Sequence, residues 1–352
     1  MNNIFNMSLT ELSYWFRKAL PYIILGILGV LIIFYSFKLY FIYLESNKPV
    51  VITTNLIFGK IDKPKIQIAT TSANLSFILD TIEGQPVTAT DTASIFYLPQ
   101  IPTRFGYKEK ILLMARNFGF DLDKANYKLV DRLATFSSDN HKLTIDIGNF
   151  NFNFESDVDP NLIASSSVIL SKTEIENKAI NLLKTMGRYP EELARGNNNI
   201  TYLKYNQYIK DFVNVEKQSE AQAVEIDFFR PDIEATSVVT PKFFTSQNYL
   251  ILFFDKDQEK IIRGQVSFFE KSEDQIGIYP VKTGDQAWEE LKDGKGIIVA
   301  GTQGQKNIVI KDMKLRYFDP DIYQRFLQPV YVFIGDNDFV AYVTAVQEEY
   351  LQ

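Results

Sequence analysis

The chain has 352 residues, with 43 Asp and Glu against 37 Lys and Arg and a formal net charge of −6. This acidic balance argues against nucleic acid as a partner, because phosphate binding requires a surplus of Lys and Arg on one surface. The chain has no cysteine and one histidine, His141, which argues against disulfides, thiolate sites and a histidine-based zinc site. We therefore predict a protein that is not an enzyme and holds no metal or cofactor, with His141 in a surface turn.

The first element is an apolar run from Ala19 to Phe37 without any charged residue. At about 1.5 Å per residue, a helix over this run covers roughly 28 Å, close to the hydrocarbon thickness of a bilayer. Trp15 and Lys38 flank it, as expected for a ring that lies at the lipid interface and an ammonium that reaches out of the lipid. We predict a transmembrane anchor within residues 1–47, with the lipid bilayer as a partner.

A cleaved signal peptide is the alternative interpretation of this run. Signal peptides typically have a shorter apolar region, followed by a small-x-small cleavage site, and no such site follows Phe37. Arg17 and Lys18 precede the run, whereas Lys38 and Lys48 follow it, so the positive-inside rule is nearly balanced. Because the tail is short and its charges lie close to the span, we expect a cytoplasmic N-terminus and an extracytoplasmic C-terminal domain.

A short helix followed by several antiparallel strands is predicted three times after the anchor. The helices begin near Tyr107, near Thr173 and near Thr283, and the second and third carry capping boxes at Thr173–Glu176 and Thr283–Gln286. Alternating apolar and polar residues follow each helix, which is typical of strands. This pattern predicts a strand-rich α+β fold in which each module packs one helix on an antiparallel sheet.

The best candidate for a linker is the polar, proline-containing segment at 155–166, "ESDVDPNLIASS". It predicts a first α+β module over residues 48–158. A second α+β region then follows over residues 159–352, with helix-plus-sheet submodules at 159–240 and 241–352.

The last third of the chain carries the most specific sequence patterns. These are the helix segment Ala287–Leu291, the strand segments Leu315–Phe318 and Gln328–Phe333, and the final Ala341–Val343. This part resembles the YycI-type, PepSY-like extracytoplasmic regulatory domains, and the whole chain resembles an uncharacterised group of single-anchor bacterial membrane proteins. The resemblance implies a single-pass protein that holds a domain outside the membrane and restrains another membrane protein, such as a sensor kinase, through contacts between spans. The motif residues are structural rather than catalytic, so that role is not assigned to individual residues.

Three polar patterns are weighed as sites. The acid pairs Asp319 with Asp321 and Asp336 with Asp338 suit either a calcium ion or solvated turns, and solvated turns are the stronger interpretation. The alternation of Asn and Phe over 149–154 suits either a groove for a peptide or glycan or a half-buried strand, and the strand is favoured.

These observations predict a membrane-anchored extracytoplasmic binding or regulatory protein in the cell envelope. Its expected partners are another protein, a peptide or an envelope polymer. A structural envelope protein and a glycan-active enzyme that uses only carboxylates remain the alternatives.

Overall fold

The computed structural model describes residues 9–46, 54–67, 70–71, 75–157, 163, 170–255, 258–301 and 306–352. The chain divides into two compact units between residues 53 and 54. The predicted linker at 155–166 lies largely outside the described residues.

The first unit contains one long helix, α1 (Leu9–Ser46), which includes Pro21. Its apolar part, Ser13–Phe41, has a mean hydropathy of 2.3, and none of it is buried within the protein. The helix is therefore apolar on all sides, unlike a helix that packs one face on a soluble core.

The described residues of the second unit form nineteen strands in three sheets, together with four short α-helices. The strands are β1 (Thr70–Thr71), β2 (Ser76–Leu79), β3 (Thr92–Tyr97), β4 (Asn126–Val130), β5 (Leu133–Ser137), β6 (His141–Asp146), β7 (Phe152–Ser156), β8 (Asn198–Asn206), β9 (Asp211–Asn214), β10 (Ala223–Phe228), β11 (Val238–Val239), β12 (Tyr249–Asp255), β13 (Gln258–Val266), β14 (Ile276–Pro280), β15 (Ile297–Ala300), β16 (Asn307–Phe318), β17 (Phe326–Leu327), β18 (Pro329–Gly335) and β19 (Val340–Thr344). The helices are α2 (Tyr107–Asn117), α3 (Lys172–Thr185), α4 (Glu191–Ala194) and α5 (Gly284–Lys292).

The largest sheet has nine strands in the order β4-β5-β6-β7-β13-β12-β10-β8-β9, and every neighbouring pair is antiparallel. Helices α2 and α3 cover one face, where Met114 and Leu183 share an apolar core with Phe152 and Phe154. Two helix-then-strands units thus meet edge to edge through the pairing of β7 with β13. The predicted strand-rich α+β class, with helices packed on antiparallel sheets, is confirmed.

Strand pairing in this sheet joins distant parts of the sequence. Strands β7 and β13 lie on opposite sides of the predicted boundary at 158/159, and β10 and β12 lie on opposite sides of the one at 240/241. Residues on both sides of each predicted boundary therefore share one sheet.

The second sheet is built around the long strand β16, in the order β1-β15-β19-β18-β16-β11. Strands β2 and β11 both run parallel to β16. Helix α5 packs on this sheet through Ala287 and Leu291, and its Trp288 ring lies against Phe77 and Phe333. The small third sheet has the order β14-β3-β17.

The two predicted capping boxes have different outcomes. The box at Thr283–Gln286 is confirmed, because the Gln286 amide donates to the Thr283 hydroxyl and the Thr283 amide donates to the Gln286 side chain. The box at Thr173–Glu176 is wrong, because Ser171 and Glu174 form it instead.

An apolar pair explains why α3 begins two residues earlier. With Ser171 as the cap, Leu170 before it and Ile175 in the first turn pack in the same apolar core. This is the arrangement of a hydrophobic staple. A cap at Thr173 would place the polar residues Lys172 and Asn177 at those two positions.

Candidate functional site: the anchor and the cleft around His141

The four predicted anchor residues lie on α1. The side chains of Trp15, Phe37 and Lys38 are not covered by other parts of the protein, and Ala19 is half-buried. The Lys18 ammonium lies 5.9 Å from the centroid of the Trp15 ring. At about 1.5 Å per residue, Trp15 and Lys38 are separated by roughly 35 Å along the helix, which is enough to span a hydrocarbon layer.

A cleft with two lobes lies at one end of the nine-stranded sheet, where β6 begins at His141 and β7 ends at Ser156, and the strand register places the two lobes on opposite faces of the sheet. These two residues are opposite each other in the sheet. The cleft consists of two cavities of about 480 and 460 Å³, and both are lined by Asn140, His141, Ser156 and Asp157. Residues of the β5–β6 turn and the end of β7 thus form the wall that the two lobes share.

The two lobes differ in chemistry. The first lobe, called here the apolar lobe, is walled by Phe118, Phe154, Leu182, Phe253 and Ile261, and polar groups including Asn117, Glu259 and Lys260 complete its lining. The second, the polar lobe, is lined by hydroxyl and charged side chains. Its lining includes Ser138, Asp139, Lys142, Glu155, Tyr249 and Arg263.

His141 is the first residue of β6 and is half-buried on the face of the sheet that α2 and α3 cover, so the predicted surface-turn position is wrong. Its ring centroid lies 6.0 Å from that of Phe120 and 6.1 Å from that of Phe154. The Ser138 amide donates to the His141 carbonyl, and this tight turn brings the imidazole under the residues that follow α2. The His141 Nδ1 atom is buried and has no hydrogen-bond partner among the residues that the structure describes.

Two ion pairs lie at the margins of the cleft. The Lys178 ammonium is 2.7 Å from the Glu259 carboxylate beside the apolar lobe. The Arg263 guanidinium is 2.8 Å from the Asp211 carboxylate beside the polar lobe. Burial raises the pKa of Tyr249, and the nearby Glu225 carboxylate adds to this rise.

Asp227 lies on the strand face that carries Glu225, beside the residues of the polar lobe. Its Oδ1 atom accepts the Ser246 amide at 2.8 Å, but its Oδ2 atom is buried without a partner in the described residues. Burial raises the pKa of Asp227 to about 7, and the Glu225 carboxylate adds to the rise. No sequence pattern distinguished this aspartate from the other acids.

The two predicted acid pairs lie in different environments. Asp336 and Asp338 are exposed in the turn between β18 and β19, as the solvated-turn interpretation predicts. Asp319 is not solvated: it is 1% exposed and its carboxylate lies 2.8 Å from the Arg230 guanidinium. Among the described residues, no group of three His, Cys, Asp or Glu side chains is arranged to hold a metal ion.

Arg230 and Arg188 form a buried polar network that the sequence did not reveal. Arg230 also binds Glu192 at 2.6 Å and donates to the Phe269 carbonyl. Arg188 donates to Asn151 and to the Phe268 carbonyl. The network thus holds the segment that leaves β13. A lone arginine directly after an apolar strand, as in "DFFRP", is the only sequence signal for it.

The second half of the Asn and Phe alternation over 149–154 lies in the half-buried strand β7, the favoured interpretation, whereas Asn149 and Phe150 lie between β6 and β7, where Phe150 has a positive φ of 61°. Phe152 and Phe154 are in the core, and Asn153 is exposed. Asn151 is buried because its side chain binds Arg188. Phe154 nevertheless contributes one wall of the apolar lobe.

No family model matches the chain, and no curated protein does. The solved structures that are similar to the chain at low identity include the following two. One is an uncharacterised protein from Eubacterium rectale, with 12% identity, a TM-score of 0.32, and coverage of 77% of this chain and 87% of that one. The other is the YpeB C-terminal domain of Bacillus megaterium, with 10% identity, a TM-score of 0.29, and coverage of 71% and 95%. TM-scores this low do not establish a shared fold. The resemblance to YycI-type domains therefore stays a prediction from the sequence.

Proposed function

We propose that the protein is anchored in a membrane by α1 and presents the unit after residue 53 outside the cytoplasm, where it binds another protein or an envelope component. The observation that supports this proposal is the span Ser13–Phe41, which has 29 residues and a mean hydropathy of 2.3, and is not buried in the protein. A helix with this much exposed apolar surface is stable in lipid rather than in water. The cleft around His141 is the proposed binding surface, and the resemblance to YycI-type domains makes a sensor kinase the first partner to test.

The anchor is tested by extracting membranes of the native bacterium at alkaline pH. The full chain is expected in the pellet, with the residues before Ala19 still present in the recovered protein. A variant in which Leu25, Leu28 and Ile32 are replaced by lysine is expected in the soluble fraction, because charges near the middle of a span cost several kcal/mol. A mature protein that begins after Phe37 would show a cleaved signal sequence and contradict the anchor.

The orientation is tested by adding protease to spheroplasts. Cleavage after Lys48 in intact spheroplasts is expected, with a cytoplasmic protein as the protected control. Full protection of this region until the spheroplasts are lysed would contradict an extracytoplasmic domain.

Binding is tested by crosslinking in intact cells and identifying the captured proteins. A regulatory partner that contacts the span is expected to be lost when residues 19–37 are replaced by an unrelated span of equal length. A structural envelope protein would keep its contacts after this exchange. Recovery of only the protein itself in both cases would contradict the regulatory role.

A further inference from the structure

We propose that the free edge of β4 receives an extended segment of a partner protein as a further strand of the large sheet, with an acidic residue opposite Lys128 and apolar residues opposite Tyr127 and Leu129. This inference rests on the proposed function, in which the partner is a protein, and adds a contact surface two strands away from His141. Three observations carry it: the open edge, the exposed apolar pair, and the uncompensated charge of Lys128.

Strand β4 is one end of the nine-stranded sheet, and β5 is its only neighbour among the described strands. All five residues of β4 are exposed, so the described part of the chain leaves this edge open to solvent. The strand at the other end, β9, differs, because three of its four residues are half-buried and Asp211 is paired with Arg263. An open edge carries a row of N–H and C=O groups with which an added strand can pair.

The apolar face of the sheet continues onto β4 but is only partly covered there. Tyr127 is opposite Phe136 and Leu129 is opposite Ala134, and both of these β5 residues are buried in the core. Tyr127 and Leu129 are themselves 45% and 39% exposed. Because directly opposite residues share one face of a sheet, apolar residues on an added strand would remove part of these two side chains from water.

Lys128 lies between the apolar pair, on the other face of the sheet, and no carboxylate compensates its charge. Thr135 is directly opposite, and Leu133 and Ser137 are its diagonal neighbours on β5. Lys128 forms no ion pair with any residue that the structure describes. A carboxylate opposite Lys128 on the free side of β4 would supply this partner, and cross-strand pairs of opposite charge are stabilising.

A second copy of the chain fits this edge less well than an acidic partner strand. In the antiparallel pairing of two β4 strands that opposes Tyr127 to Leu129, the two Lys128 side chains face each other. Like charges directly opposite each other destabilise a pair of strands. The charge therefore favours a partner segment in which an acidic residue lies between two apolar residues.

The chain has no cysteine, so a single introduced cysteine can tether a test strand beside β4. Lys124, an exposed residue two positions before β4, is replaced by cysteine in the full-length chain, which is held in lipid nanodiscs. The probe is acetyl-Thr-Val-Glu-Val-Thr-Gly-Cys-amide. Paired antiparallel to β4, it places its Glu opposite Lys128 and its cysteine opposite residue 124. The matched probe carries Lys in place of Glu, and intact-protein mass spectrometry in a fixed thiol buffer measures the equilibrium constant of each mixed disulfide.

The Glu peptide is expected to give the larger constant, by about twofold or more, because its carboxylate meets the Lys128 ammonium. Lys128→Glu should invert this preference, and Lys128→Thr should bring the ratio of the two constants close to one. N-methyl groups on the Val, Glu or Lys, and second Val residues keep the side chains of both probes but remove backbone N–H donors. The N-methylated probes should therefore show no preference. A melting temperature close to that of the parent shows that each variant is folded.

Three outcomes would overturn the proposal. The first is equal constants for the Glu and Lys peptides on the folded chain that retains Lys128. The second is a preference that persists in the N-methylated peptides, which would show charge attraction without strand pairing. The third is a dimer of the full-length chain in detergent, measured by sedimentation, that the tethered Glu peptide dissociates, because a second copy would then be the occupant of the edge. None of these results bears on the anchor or on its orientation, so the proposed function would stand or fail separately.

Discussion

Two Asp-x-Asp segments, at 319–321 and at 336–338, follow neighbouring strands of the same sheet and differ completely in environment. Asp319 comes directly after β16 and is buried against Arg230 and Gln247. Asp336 and Asp338 come directly after β18 and are exposed. The second segment forms a hairpin turn, in which Asn337 and Asp338 have positive φ values of 56° and 58°. Asn and Asp tolerate this left-handed conformation better than most residues.

The difference shows that residues distant in the sequence, rather than the local Asp-x-Asp pattern, decide whether a carboxylate is buried and paired with a cation. Arg230 lies 89 residues before Asp319, and it also binds Glu192 and packs 4.0 Å above the Phe268 ring. Asp227 adds a third case, since it is as buried as Asp319 but has no ion pair among the described residues. Three aspartates thus form a series of buried and paired, buried and unpaired, and exposed.

The largest effect is expected when the buried pair loses its cation. Arg230→Met leaves the Glu192 and Asp319 carboxylates buried without an opposite charge, and the free energy of unfolding should fall by about 3–5 kcal/mol. Thermal unfolding is followed by the fluorescence of Trp288 in the full-length chain, in a background of Trp15→Phe that removes the other tryptophan.

A charge-neutral triple variant is the matched control for this prediction. Arg230→Met combined with Glu192→Gln and Asp319→Asn removes all three charges and should recover most of the lost stability. If Arg230→Met alone melts like the parent, the buried network does not hold the sheets as described.

A pH-dependent effect is expected for Asp227, the buried aspartate that has no ion pair among the described residues. The folded protein holds the Asp227 proton up to about pH 7, whereas the unfolded chain releases it near pH 4. The contribution of Asp227 to stability is therefore complete below pH 4 and is lost as the pH rises toward 7. Asp227→Asn cannot ionise, so its advantage over the parent should grow from near zero at pH 4 to about 4 kcal/mol at pH 8, the value that a pKa change of about three units corresponds to.

Melting temperatures of the parent and of Asp227→Asn between pH 4 and pH 8 test this prediction. Asp336→Asn, measured in parallel, controls for the removal of any single carboxylate. A difference that shrinks as the pH rises would mean that Asp227 is ionised and satisfied in the folded protein.

The smallest effect is expected in the exposed turn. Asp336→Asn and Asp338→Asn should each change the free energy of unfolding by less than about 0.5 kcal/mol, because both side chains are solvated. Addition of 5 mM calcium chloride should leave the melting temperature of the parent unchanged. A rise in melting temperature that Asp338→Asn abolishes would restore the calcium alternative.

Local sequence patterns predicted the elements well. The three helices begin close to their predicted starts, and Gly119, Gly187 and Gly294 follow α2, α3 and α5 with positive φ. These features depend on a few consecutive residues, so the sequence carries them directly. The correct cap of α3, Ser171, could also have been predicted from the sequence. Leu170 and Ile175 flank it with the spacing of a hydrophobic staple.

The candidate cleft was not predictable in the same way. His141 looked like a turn residue, and the turn is real, but the walls around the ring come from α2, α3 and β13. The Phe118 ring, which forms part of the apolar lobe, stacks on Phe154 of β7, and three strands separate these two residues in the chain. No pattern of neighbouring residues predicts that α2, α3, β7 and β13 meet at one end of a sheet.

The sequence by itself determined the apolar span, the strand-rich α+β class and the positions of the helices, because hydropathy and periodicity act over neighbouring residues. Only the tertiary structure decided which strands pair across residues 158 and 240, which aspartates are buried, and where a cavity remains beside His141. These features depend on contacts between residues far apart in the chain. Such contacts stabilise the protein only once the sheets have formed.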